Sequence, residues 1–155
     1  MHKLKLYLDT TVLNFAFADD APKEMDATLK FFKQIERFEV SLSDVVLDEI
    51  ERCPSLKRAR LMELINSHDW NILELDQAAR SLSGHYLSAG VIPQKYRDDA
   101  YHIAIATVNN QDAILSWNFQ HIVKMKTKRE VVAINLLEGY RGIDIYTPME
   151  VVDDV

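Results

Sequence analysis

Hydrophobic and polar positions alternate over residues 3–8 and stop at Asp9, a pattern that predicts a strand delivering an acid at its C-terminal end. Ala21-Pro22 marks a turn, and positions 29, 32, 35, 36 and 38 then follow a period near 3.6, as a helix would. Residues 39–42 predict a second strand, with Ser43 as N-cap of a helix over 44–52. Pro54 opens the next helix, whose inner side carries Leu56, Leu61, Leu64 and Ile65. A third strand over 70–75 follows. Next come a helix over 76–88, stopped by Gly90 and Pro93, and an amphipathic helix over 97–108 closing at Asn109-Asn110. A buried strand over 113–117 precedes helices over 119–125 and 130–137. A fifth strand over 143–146 then leads into Thr147-Pro148-Met149-Glu150, a capping box with Pro at the first helical position.

Strands alternating with helices predict an α/β fold, a three-layer sandwich of about five parallel strands with helices on both faces. At 155 residues, with no linker and no internal repeat, the chain fits one domain over 1–155. The balance of 48% hydrophobic and 27% charged residues is that of a globular protein and excludes a disordered or low-complexity chain. Its apolar runs are too short to span a bilayer, and residues 1–5 carry no apolar signal core. One cysteine, Cys53, cannot form an intramolecular disulfide, so a reducing cytoplasm is expected. A net charge of −6 argues against indiscriminate coating of nucleic acid but leaves room for a local basic groove.

In open parallel sheets, ligands bind beyond the carboxyl ends of the strands. Three acids and an amide are expected there: Asp9 after the first strand, Glu49 on the helix after the second, Asp99 at the start of the helix over 97–108, and Asn118 after the fourth strand. Taken singly each has a plain structural use. Asp98 serves as a cap or helix-dipole partner, Glu49 as a solvated face residue and Asn118 as a turn former. Their shared placement at one sheet edge is what informs. Two carboxylates about 4 Å apart repel by roughly 4 kcal/mol at an effective dielectric near 20, so a cluster of three calls for protons or a cation. Oxygen donors without paired His or Cys suit Mg²⁺ or Mn²⁺, and such an ion can activate water for in-line attack on a phosphodiester. The histidines at 2, 68, 85, 102 and 121 lack zinc-ligand spacing.

The segments around these residues resemble the motifs of the PIN-domain family. Leu8-Asp9-Thr10-Thr11-Val12-Leu13 is similar to the opening motif, whose Asp binds metal and whose hydroxyl, here Thr11, orients it. The segment Ser43-Asp44-Val45-Val46-Leu47-Asp48-Glu49-Ile50 resembles the second, with Glu49 at the acidic position. Asp99-Ala100-Tyr101-His102-Ile103-Ala104-Ile105-Ala106 resembles the third, an Asp opening an Ala-rich helix with an internal His. Ile114-Leu115-Ser116-Trp117-Asn118-Phe119-Gln120-His121 resembles the fourth, which ordinarily carries Asp where this chain has Asn118. The resemblance covers essentially the whole chain. It implies a Rossmann-like sheet, commonly a homodimer, and RNA cleavage at a Mg²⁺ or Mn²⁺ site built from Asp9, Glu49, Asp99 and Asn118. The nearest group is the VapC-type toxin ribonucleases, which implies an antitoxin partner. Asn118 keeps one oxygen for a metal but removes a charge, so weaker metal binding and a single-ion site are expected.

Around that set, His102 lies three positions after Asp99 and serves either helix packing or the site. Asn14 points into the site if the chain turns helical after Asp9, or has a plain structural role. Lys57-Arg58-Ala59-Arg60 and Lys124-Met125-Lys126-Thr127-Lys128-Arg129 are basic stretches suited to a phosphate backbone, with a solvated face as the plain alternative. Of the stretch after Asn118, Lys124, Lys126, Lys128 and Arg129 are the expected nucleic-acid contacts. Trp117, Phe119 and Tyr96 are candidates to stack on bases, although Trp117 ends a buried strand. The leading reading is a metal-dependent endoribonuclease. The alternatives are a PIN-fold module that binds RNA or protein with little catalysis, and a metal-dependent phosphatase-like enzyme on a small substrate.

Overall fold

A computed structural model describes residues 2–153. Five strands, β1 (Lys5–Leu8), β2 (Glu39–Ser43), β3 (Asn71–Leu73), β4 (Ala113–Leu115) and β5 (Asp144–Tyr146), form one sheet in the order β3-β2-β1-β4-β5, with every pairing parallel. Leu6 pairs with Val40 on one side and Ala113 on the other, which makes β1 the central strand. The chain order reverses at β1, so the crevice beyond the ends of β1 and β4 is the switch point where such sheets bind ligands.

Because side chains alternate along a strand, β1 feeds two cores. Leu6 and Leu8 join Leu42, Leu115, Phe31, Ile50 and Leu61 on one face, while Tyr7 joins Ile114, Ile145, Tyr86 and Ile103 on the other. The first face is covered chiefly by α1 (Thr10–Phe15), α2 (Pro22–Lys33), α3 (Asp44–Glu51) and α4 (Ser55–Asn66). The second is covered by α5 (Gln77–Ser88), α6 (Arg97–Val108) and α7 (Met125–Leu137). Among the described residues, no helix is long and apolar enough to cross a membrane.

Local signals set most boundaries. Asp9, Ser43 and Asp76 each turn a side-chain oxygen onto a first-turn backbone N–H of α1, α3 and α5. Gly90, with φ at +74°, provides the left-handed turn that ends the α5 segment. The Thr147–Glu150 capping box forms as expected, on a single 3-10 turn. Four expectations are corrected. The helix after Pro22 ends at Lys33, and the chain crosses a 3-10 turn at Ile35–Arg37 before Phe38 becomes extended. Between Asn118 and β5 the described residues form one helix, α7, because residues 119–124 wind through turns closed by two bonds onto the Asn118 carbonyl. The helix over 97–108 is not amphipathic: Ala100 and every residue from His102 to Thr107 are buried, since α5, α7 and the sheet enclose it. Finally, Leu56 is 69% exposed while Leu61 and Ile65 carry the inner face of α4.

That last difference can be measured. Leu61→Ala should cost about 2–5 kcal/mol of unfolding free energy by leaving a cavity, whereas Leu56→Ala should change it by no more than about 0.5 kcal/mol. Urea denaturation of both variants checks the orientation of α4.

Candidate functional site

The carboxyl ends of β1, β2 and β4 deliver Asp9, Ser43 and Ser116 to one rim, and α3 and α6 bring Glu49, Asp99 and His102 toward it. Asp9 is 2% exposed. Its two oxygens accept hydrogen bonds from the hydroxyls of Thr11 and Ser116, each at 2.5 Å, and it also caps α1 through Val12 N–H. Thr11 in turn accepts Trp117 N–H at 2.8 Å, and Ser116 accepts Asn118 N–H at 2.9 Å. Asp9 is thereby tied to the end of β4 through both of its neighbours.

Glu49 lies in a different set of contacts. Its Oε1 is 2.6 Å from His102 Nε2 and accepts the Thr10 hydroxyl at 3.0 Å. His102, also 2% exposed, turns Nδ1 to the Tyr7 hydroxyl at 2.6 Å, and Tyr7 reaches Ser43 Oγ at 2.7 Å. Ser43, Tyr7, His102 and Glu49 therefore form one chain of hydrogen bonds, buried except at Glu49, linking β2, β1, α6 and α3. With a neutral imidazole every hydrogen has a place: Ser43 donates to Tyr7, Tyr7 to Nδ1, and Nε2–H to Glu49. With an imidazolium the first two bonds reverse without any contact breaking.

Asp99 meets His121, whose Nδ1 is 3.1 Å from its Oδ2, and Tyr96 lies against the His121 ring at 4.2 Å between centroids. Asn118 turns its Oδ1 onto His121 N–H at 2.9 Å and its amide toward Asp99. Its oxygen therefore already accepts one backbone N–H, which leaves a second lone pair. The reason is local: the turn after β4 exposes a backbone N–H that the Asn118 side chain is placed to cap.

The charges follow from these contacts. Burial pushes the Asp9 carboxyl above the ordinary aspartate range, against the pull of His102, Ser116 and Thr11, and Asp99 adds to the rise. Asp99 is also raised, chiefly by burial, despite His102, His121 and Asn118. Burial acts on Glu49 in the same direction, but the His102 contact, the Thr10 hydroxyl and Arg52 outweigh it and hold Glu49 below its ordinary value. Burial opposes the His102 imidazolium, yet Glu49, Asp9 and Asp99 prevail and raise it.

Asp9, Glu49 and Asp99 all act on His102, and of the three Glu49 makes the direct contact with its ring. Among the described residues, no group of three His, Cys, Asp or Glu side chains is arranged to hold a metal ion. Asp98 pairs with Arg52 at 3.2 Å on the surface. Asn14 makes no contact with the acids in the hydrogen-bonding network and lines a neighbouring hollow with Phe17 and Arg60. Lys124, Lys126 and Arg129 are exposed and Lys128 half-exposed around the start of α7. Trp117 is core, donating from Nε1 to Thr28 at 2.8 Å, whereas Phe119 is exposed. Tyr7, Thr10, Ser43, Ser116 and His121 escape a reading of the sequence. Ser116 and His121 flank Asn118 in the fourth motif, which is a usable signal, but Tyr7 looks like an ordinary core residue of a strand. A larger hollow of about 630 Å³ lies at the opposite edge, against Glu39 and Asn71 where β2 and β3 begin, and so is remote from the acids.

With this geometry in view, two solved structures are informative. The chain is similar to a chain of VapBC2 from Rickettsia felis, solved bound to a DNA fragment from their promoter. The TM-score is 0.57 at 14% identity, over 76% of this chain and 90% of that one. It is also similar to a chain of DNA-bound VapBC from Salmonella typhimurium, with a TM-score of 0.56 at 18% identity, over 94% of this chain and 98% of that one. The fold is PIN-like. No family model and no curated protein matches the sequence. At such identity the shared feature is backbone architecture, a five-stranded parallel sheet with helices on both faces, and the PIN-like fold places the rim of acids at its switch point.

The His102 contact has a defined pH signature. Because its folded pKa is raised, its contribution to stability is fully present below the unfolded value near pH 6.5 and is lost as pH rises through the folded value. Glu49, with a depressed pKa, gives its share above its unfolded value near pH 4.3 and loses it as pH falls through the folded value. Thermal melts of wild type and His102→Gln without divalent ions should differ most near pH 5–6, and the difference should shrink as pH rises. A difference that is flat with pH would sink this account.

Proposed function

We propose that this PIN-like chain is a metal-dependent endoribonuclease of the VapC toxin type. The observation that carries the reading is the pair Asp9 and Asp99 at the switch point. Asp9 is buried and Asp99 half-buried, and burial raises both carboxyls above their ordinary range, so a divalent cation would relieve the cost of ionising them. Oxygen donors of this kind fit Mg²⁺ or Mn²⁺. Asp9 and Asp99 would hold the ion, with Glu49 joining if it leaves His102. When bound, such an ion supplies Lewis acidity toward the scissile phosphodiester and lowers the pKa of water.

The chain's own residues do the remaining work. Thr11 and Ser116 fix both Asp9 oxygens, so this carboxylate keeps one orientation. His121 meets one Asp99 oxygen, with Tyr96 covering the imidazole, and Asn118 favours the ionised Asp99. His102 and Thr10 hold Glu49 ionised at the edge, where it can accept a proton released during hydrolysis. Lys124, Lys126, Lys128 and Arg129 bind the RNA backbone, which makes affinity fall with salt. The reading extends to a cytoplasmic protein, one domain, a homodimer and an antitoxin partner; VapBC complexes as fold neighbours support the last of these.

A second reading, an RNA- or protein-binding module with little catalysis, is favoured by one observation. Glu49 Oε1 and the Asn118 oxygen both meet protein partners. Purified protein with Mn²⁺ should cut single-stranded RNA, and Asp9→Asn or Asp99→Asn should slow cutting by at least about 100-fold. Equal inertness of wild type and Asp9→Asn, with RNA still bound, gives the second reading the case.

Asn118→Asp replaces an amide donor beside Asp99 with a third carboxylate. It should lower the metal-free melting temperature and tighten Mn²⁺ binding. Calorimetric titration of both proteins with Mn²⁺ checks this, and unchanged affinity would count against a metal at this rim.

A further inference from the structure

Arg52 is the C-cap of α3, three residues after Glu49. Its Nε donates to the Asp48 carbonyl at 3.3 Å, and its Nη2 donates to Asp98 Oδ2 at 3.2 Å. Asp48 directly precedes Glu49 and Asp98 directly precedes Asp99, so the guanidinium is held between the chain neighbours of two of the acids. Its charge also reaches Glu49 and helps to hold that carboxylate below its ordinary value. The other groups that act most on Asp9, Glu49 and Asp99 are imidazoles, hydroxyls, an amide and the acids themselves. Among them Arg52 is the one permanent cation.

The Arg52 side chain is 65% exposed. A guanidinium carries five N–H groups; the two bonds above use two, and among the described residues the other three meet no acceptor. An exposed ion pair adds little to stability, so strapping α3 to α6 is a weak reason for the contact with Asp98. Charge supplies a stronger one. A phosphodiester nearing a rim of carboxylates is repelled unless a cation meets its non-bridging oxygens, and the planar fork of an arginine fits two such oxygens. We propose that Arg52 binds the scissile phosphodiester of RNA, exchanging Asp98 for a non-bridging phosphate oxygen as the substrate arrives. The proposal rests on RNA being the substrate and adds which residue holds the reacting group. In hydrolysis the oxygen of water bonds to phosphorus, the bond from phosphorus to the leaving oxygen breaks, and one proton of that water ends on the leaving oxygen. The non-bridging oxygens carry negative charge throughout, and Arg52 meets it with N–H groups already in place. Asp98 is then a positioning residue, aiming the guanidinium until the phosphate takes over.

The test uses the full chain carrying Asp9→Asn, so that RNA is bound without being cut, and reads the anisotropy of a labelled single-stranded oligomer. Adding Arg52→Ala should weaken binding by about tenfold and reduce the salt slope by about 0.7. Lys3→Ala, before β1 and so at the opposite end of the sheet, should change neither. Adding Asp98→Asn should tighten binding by about two- to threefold, and that gain should vanish when Arg52→Ala is also present. With Asp9 restored and Mn²⁺ supplied, Arg52→Lys should keep KM within about threefold and lower kcat by about tenfold, because lysine retains the charge and loses the fork. Binding that ignores Arg52 overturns the proposal. So do equal losses for Arg52→Ala and Asp98→Asn, which a plain strap between helices would give, and a gain from Asp98→Asn that survives without Arg52. A starting chain that binds no RNA removes this proposal and the nuclease reading together. Cutting by wild type without an Arg52 effect removes the proposal alone, and Arg52-dependent binding without cutting removes the nuclease reading alone.

Discussion

The hydrogen-bond chain Ser43–Tyr7–His102–Glu49 crosses the protein where β2, β1, α6 and α3 meet. An imidazole 2% exposed cannot stay unpaired without a cost of about 1–3 kcal/mol, so each partner must be in register for the fold to close. Tyr7 is available because β1 alternates: Leu6 and Leu8 face one core and Tyr7 the other. His102 is available because α6 is buried nearly all round. The same contacts set the depth of α6, and with it the position of Asp99 three residues earlier.

That arrangement gives the two histidines at the rim a consequence for charge. Each imidazole meets one carboxylate, His102 with Glu49 and His121 with Asp99, while Asp9 is met by two hydroxyls and the Val12 N–H. Hydroxyls orient a carboxylate without neutralising it, which is why burial dominates at Asp9. Asn118 fits this pattern as a donor: its amide lowers the Asp99 carboxyl while its oxygen closes the turn carrying His121. An aspartate there could still close the turn but would offer Asp99 no hydrogen.

Much of the architecture was legible because its signals are local. Period-two and period-3.6 patterning, the side-chain caps at Ser43 and Asp76, the Gly90 stop and the Thr147 capping box depend on neighbours a few residues away. The errors arose where tertiary contact decides. The composition of α6 reads as one-sided, but α5, α7 and the sheet enclose it. Leu56 reads as core, but the start of α4 stands clear of the sheet. Residues 119–124 read as a helix, but their backbone N–H groups turn back onto the Asn118 carbonyl.

By itself the sequence determined the order of elements, the parallel sheet, and the delivery of Asp9, Glu49, Asp99 and Asn118 toward one edge, since strand–helix alternation and strand-end placement fix these. Only the tertiary structure decided what each of the four touches. Tyr7, Thr10, Ser116 and His121 come from strand ends, a first helical turn and a loop that no spacing rule connects. Two of the bonds they make, Ser116 to Asp9 and Tyr7 to His102, join residues 107 and 95 positions apart. Such contacts are set by the strand order β2-β1-β4 and by the burial that forces polar groups to find partners, and neither is written in the pattern of any single segment.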